Sequence, residues 1–172
     1  MTKTSETRLV SLSREIQRHF NDVRLSIELI PKTCWFSNVR DHISSSDWDK
    51  LRRASYEKAN HVCEICGNRG EKHPVECHEI WFYDDENFTQ TLKGLISLCP
   101  NCHEVKHIGL AGLRGRGEIA KNHLAKVNKW SDEVAEQYIN LSKDIFILRS
   151  KHEWHLNLEW LSNEGVNVKP KR

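Results

Sequence analysis

The chain lacks any apolar run approaching membrane-spanning length, and its first twenty residues, MTKTSETRLVSLSREIQRHF, lack the apolar stretch of a secretory leader. The expectation is a cytoplasmic protein with no membrane partner. Net charge is also scarce: 26 Lys and Arg against 24 Asp and Glu leave a formal charge of +2. That excludes a polycationic chain, so any nucleic-acid surface must come from local clustering of charge. There is no internal repeat, which sets aside solenoids and arrays. What is present is 38% apolar residues, 29% charged residues and six Trp, the balance of a folded, soluble protein. Its 172 residues are one domain's worth of chain, enough to bury a core.

Six cysteines could form three disulfides in a secreted chain. Four of them instead form two Cys-x-x-Cys pairs, Cys63/Cys66 and Cys99/Cys102, a pattern of metal ligands in a reducing compartment. Such a turn points two thiolates at one place, a second turn completes a tetrahedron, and four sulfurs suit zinc. The gap between the pairs is longer than in the shortest zinc ribbons, so something is inserted there. The insert carries His78, and the second pair runs directly into His103 and His107. Cys34 reads as a buried thiol, and His61, His73 and His123 read as surface residues.

Along the chain, residues 1–10 read as a polar, frayed lead, and 8–23 as a helix with Leu9, Ile16 and Phe20 inward. Leu25, Ile27 and Leu29 alternate with polar residues up to Pro31, the period of a strand. Residues 32–45, with Cys34, Trp35 and Phe36, read as a loop anchored in the core. Ser46 to Asp49 reads as a capped helix start, with the helix running to about Asn60. Val75–Tyr83 and Phe88–Leu98, joined by the polar turn Asp84–Asn87, read as a β-hairpin. A helix is expected from His103 to Ile108, closed by Gly109, then a flexible glycine-rich loop over 109–117. Helices follow from Glu118, with Ile119, Leu124 and Val127 inward, and from Ser131, with Val134, Tyr138, Leu141, Ile145 and Leu148 inward. Trp154–Trp160 alternates as a second strand, expected to pair with Leu25–Leu29 in one sheet. Between Val105 and Trp130 there are six basic residues and one acid, Glu118. Arg114, Arg116, Lys121 and Lys126 are the candidate phosphate contacts in that stretch.

VECHEI followed by LISLCPNCHEVKH resembles the HNH endonuclease family, in its zinc-stapled, McrA-like branch, over residues 61–108. The resemblance implies an α+β protein, a zinc-bound ββα-metal module embedded in a small helical and β single domain. Outside the resemblance, residues 1–60 are expected to form an N-terminal strand-and-helix flank, 61–109 the module, and 110–172 a basic loop, helices and a C-terminal strand packed with the rest. The resemblance further implies metal-dependent hydrolysis of DNA phosphodiester bonds, with structural zinc on the four cysteines. His78 would be the general base. His103, with His107 one turn on, would hold a catalytic divalent ion (Mg²⁺, Mn²⁺, Ni²⁺ or Zn²⁺). The four-residue spacing puts those two imidazoles on one helix face. The family's Asn-Leu step is Gly94-Leu95 here, with Asn87 as a possible substitute, and the residue before the base is Cys77 rather than an acidic or histidine ligand. A catalytically inactive zinc module binding nucleic acid or a protein partner is the alternative expectation; beside DNA, the partner expectation leaves room for a protein partner or a homodimer.

Overall fold

The structure is a computed structural model that describes residues 3–35 and 38–169. The helix expected over 8–23 is α1, Lys3–His19. It begins well inside the stretch expected to fray, because Leu9 is fully buried against Ile145 and Leu148. A 3₁₀ turn at Lys32–Cys34 and the short helix α2, Val39–His42, lead to α3, Ser45–Lys58. Cys34 is buried as expected, while Trp35 is mostly exposed; Phe36 lies outside the described residues. The cap of α3 is Ser44, not Ser46. Its hydroxyl accepts from the Asp47 amide at 3.0 Å and donates to the Asp47 carboxylate, satisfying a donor that the first turn leaves open.

The hairpin forms as expected from β1, Glu76–Asp84, and β2, Thr89–Leu98, paired antiparallel. Its register shifts between Ile80 and Trp81, opposite Gly94. Gly94 holds φ +154°, a value L side chains rarely adopt, so a bulge accounts for glycine at this position. After the second cysteine pair come α4, Pro100–Lys106, α5, Ile108–Leu113, α6, Gly117–Asn128, and α7, Asp132–Arg149. The last elements are β3, His155–Asn157, and α8, Glu159–Asn163. The result is a mixed α+β single domain whose three-stranded sheet has the order β1-β2-β3.

Several sequence expectations are corrected. Gly109 does not close the helix after the second cysteine pair. The break falls at His107 (φ −105°, ψ 40°), and the chain then continues helically through Gly109 to Leu113, across most of the expected loop. The Lys106 carbonyl accepts the Glu28 amide at 3.1 Å, a partner from outside the helix. Leu25–Leu29 is not a strand and does not pair with 154–160. Its apolar residues do face the core, with Leu25 fully buried and Ile27 and Leu29 packed beside it, but Glu28 between them is largely buried too. Its backbone partners, however, are a side chain and a helix end. Asn128 Oδ1 accepts from the Arg24 and Leu25 amides at 2.9 and 3.0 Å, and Asn128 Nδ2 donates to the Leu25 carbonyl at 2.9 Å. Of 154–160 only His155–Asn157 is strand, parallel to β2, and Leu158 then caps α8. Ile119 is half exposed, and Ala120 takes the inward place on α6 beside Leu124 and Val127.

Two apolar clusters sandwich the hairpin. One joins Leu25, Cys63, Leu98, Cys99 and Cys102 to α4, α6 and α7, so the cysteine pairs share a core with residues on both sides of them in sequence. The other joins Val39, Trp48, Cys77, Trp81, Leu92 and Leu161. Neighbouring residues on a strand face opposite ways, so Cys77 enters the second cluster while His78 turns toward α4.

Candidate metal centres and an adjoining cleft

The sulfurs of Cys63, Cys66, Cys99 and Cys102 all lie within 4.8 Å of one another, a cluster that could hold zinc. The first pair is closed by the Gly67 amide donating to the Cys63 carbonyl at 2.9 Å. The second is carried on the first turn of α4, with Pro100 at its start. A side chain at Gly70 would collide with the His73 carbonyl and the Pro100 ring, so the loop leaving the first pair can cross Pro100 only as glycine. The thiol pKa values of Cys63, Cys99 and Cys102 are shifted unequally. A hydrogen bond from Cys102 pulls Cys63 down to about 4, while burial, with Cys66 hydrogen-bonded to it, pushes Cys99 up to about 11. Cys102 is pushed up as well, by its bond to Cys63 and by burial. Four thiolates this close repel one another unless a cation sits among them, so the donor set fits zinc. His123, expected at the surface, instead places Nε2 at 3.2 Å from Cys102 Sγ, a contact to one of the sulfurs that could hold zinc.

A second cluster joins His78, His103 and His107, whose nitrogens also lie within 4.8 Å of one another. The three rings stand edge to face at centroid separations of 4.9 to 5.2 Å. β1 supplies His78, α4 supplies His103, and His107 stands at the break between α4 and α5. Two of the rings are backed by carboxylates. Glu76 Oε2 accepts from His103 Nδ1 at 2.5 Å, and Glu28 Oε2 accepts from His78 Nε2 at 2.5 Å. Burial, with His78 and His103 alongside, pulls His107 down to about 4, so it is a neutral imidazole with a free lone pair near pH 7. His78 Nδ1 is buried and has no hydrogen-bond partner. His42 and His152 also bury an unpartnered nitrogen, but neither belongs to such a cluster among the described residues. An orphaned nitrogen facing no protein acceptor, in a ring beside two more imidazoles, fits a metal ligand.

The cluster opens on a cleft of about 320 Å³ whose walls include Glu76, His103, Glu104, His107, Arg114 and Arg116. His78 does not line it and is only 2% exposed. Arg116 clamps Glu104 through two nitrogens, at 2.6 and 3.0 Å. The other basic candidates lie elsewhere. Lys121 is drawn to Glu118 and Glu136, at 2.8 and 3.7 Å, and Lys126 is exposed on α6 and lines no part of the cleft. Behind the site, a cavity of about 250 Å³ touches Glu28 and Arg149, both already in ion pairs, with His78 and Asp85. Cys77 is no ligand in this arrangement. Burial, with Glu79 nearby, pushes its thiol up to about 12.

Among the described residues no helix is long and apolar enough to cross a membrane. Comparison with protein-family models, curated proteins and solved structures gives no match.

Proposed function

We propose that this protein is a metal-dependent endonuclease hydrolysing phosphodiester bonds in DNA. In this reading zinc on Cys63, Cys66, Cys99 and Cys102 is a structural staple, and a divalent cation is held by His78, His103 and His107. The observation that carries it is the trio of imidazoles, backed by carboxylates and opening on a cleft walled by Arg114 and Arg116. A cation bound there supplies Lewis-acid stabilisation of the charge that develops on a phosphate oxygen. Imidazole donors favour zinc or nickel over magnesium and manganese, which prefer oxygen ligands.

The chain's own residues divide the remaining work. Arg114, exposed on the cleft wall, holds the phosphate, while Arg116 beside it is already paired with Glu104. Glu76 keeps His103 oriented through its Nδ1–H, leaving the other nitrogen free. The resemblance gives the proton-accepting role to His78, but that ring is buried away from the cleft and bonded to Glu28. The role falls to a carboxylate on the cleft wall. Glu104 is clamped by Arg116, whereas Glu76 is engaged through one oxygen only and is partly exposed, so Glu76 is the acceptor in this reading. A plasmid-nicking assay with magnesium, manganese, nickel or zinc tests the proposal. Nicking is expected with nickel or zinc and is lost in His107→Ala. A protein that binds DNA but cuts with none of these metals would be a non-catalytic zinc module instead.

A further inference from the structure

The residue that decides which nitrogen of His78 is available lies fifty positions upstream, outside the stretch that resembles a nuclease. We propose that Glu28 is a positioning residue for the cation site, an inference that rests on the reading of the histidine trio as that site. Glu28 is pinned from three sides. Its amide donates to the Lys106 carbonyl at 3.1 Å, one residue before His107. Its Oε1 accepts from the Trp81 amide at 3.0 Å, and its Oε2 accepts from His78 Nε2 at 2.5 Å. An ionised carboxylate only accepts hydrogen bonds. The proton of a neutral His78 is therefore fixed on Nε2, and the lone pair is left on Nδ1, the nitrogen with no protein partner. Glu28 thus presents the imidazole to the cation in one tautomer and one orientation. It also ties the segment before Pro31 to the end of α4, so the site is complete only when that segment is docked.

Glutamine at 28 separates this role from packing. Its side chain has the same shape but one acceptor oxygen where the carboxylate has two, so the Trp81 amide and His78 Nε2–H cannot both be served. If the amide NH₂ turns toward Nε2, His78 must carry its proton on Nδ1, which blocks the lone pair. The experiment uses full-length protein carrying one equivalent of zinc. Cobalt(II) is titrated in, and the absorption bands are read: ligand-field bands without sulfur-to-metal charge transfer report the imidazole site. Wild type is expected to bind. Glu28→Gln should bind about 10- to 100-fold more weakly, the usual cost of losing such a partner, with its thermal unfolding midpoint near that of wild type. Two-bond ¹H–¹⁵N spectra of the histidine rings, recorded before cobalt is added, should show His78 as the Nε2–H tautomer in wild type and a changed pattern in Glu28→Gln. Equal cobalt affinity in the two proteins, or an Nδ1–H tautomer in wild type, overturns the role of Glu28 while leaving the trio as a site. Absence of cobalt binding in wild type overturns the trio reading itself, and the role of Glu28 with it.

Discussion

His78 is the residue on which the competing readings of the site diverge. As a general base it would act on a water beside the substrate, and its loss would cost about 10²–10⁴-fold in rate at every metal concentration. As a ligand it would take metal affinity with it. His78→Ala is expected to weaken cation binding, and cleavage should recover in part when more metal is supplied. Activity measured against metal concentration checks this, and a rate loss that no metal concentration relieves would return His78 to the role of base. The sequence reveals His78, His103 and His107 because each sits in or beside a short local motif. It does not reveal Glu28, which reaches His78 only because the fold lays an extended segment along α4. Nor does it reveal His123, whose contact to Cys102 depends on how α6 packs over α4. A lone histidine in an amphipathic helix gives no local signal of what it will touch.

Among the elements, those whose partners are close in sequence were legible and those whose partners are distant were not. The hairpin was readable because alternation and a polar turn specify it locally. The helix from Ser131 was readable from its cap, whose hydroxyl accepts from the Val134 amide. Leu25–Leu29 shows the limit: alternating apolar and polar residues fit any extended segment, and only tertiary contacts decide whether a ladder forms. Here Asn128 takes the place of a neighbouring strand for Arg24 and Leu25. Asn128→Ala leaves part-buried backbone groups without partners, at a cost of about 1–3 kcal/mol. The unfolding midpoint in urea is expected to fall with little change in slope. Because the same segment carries Glu28, cation affinity at the histidine trio should fall too. A variant as stable as wild type would mean that water replaces these bonds without loss. The helical stretch through Gly109 to Leu113 was hidden for a related reason: its glycines read locally as a loop, while Ile108 and Ala111 are held helical by burial against the main cluster.

For the molecule as a whole, the four cysteines are placed as a staple of the core rather than as an appendage. Three of them, Cys63, Cys99 and Cys102, belong to the same apolar cluster as Leu25, Leu124 and Tyr138. Zinc there would contribute its binding free energy to folding. Removing it with a strong chelator should therefore disrupt the packing around α6 and α7 as well as the loop beside the cysteines. Near-ultraviolet circular dichroism, which reports Trp130 and Tyr138 against Phe20, should collapse on chelation. A signal that survives complete loss of zinc would make the cluster peripheral to stability.

The central claim is that a second cation sits on His78, His103 and His107 at the floor of the Arg114 cleft. Its most direct test is an anomalous diffraction experiment on crystals of protein carrying one equivalent of zinc and soaked in nickel(II), with data collected at energies that separate the two metals. A zinc peak is expected among the four sulfurs and a nickel peak within bonding distance of His78 Nδ1 and of one ring nitrogen each from His103 and His107. A nickel peak elsewhere, or none at the three histidines with nickel in excess, would contradict it.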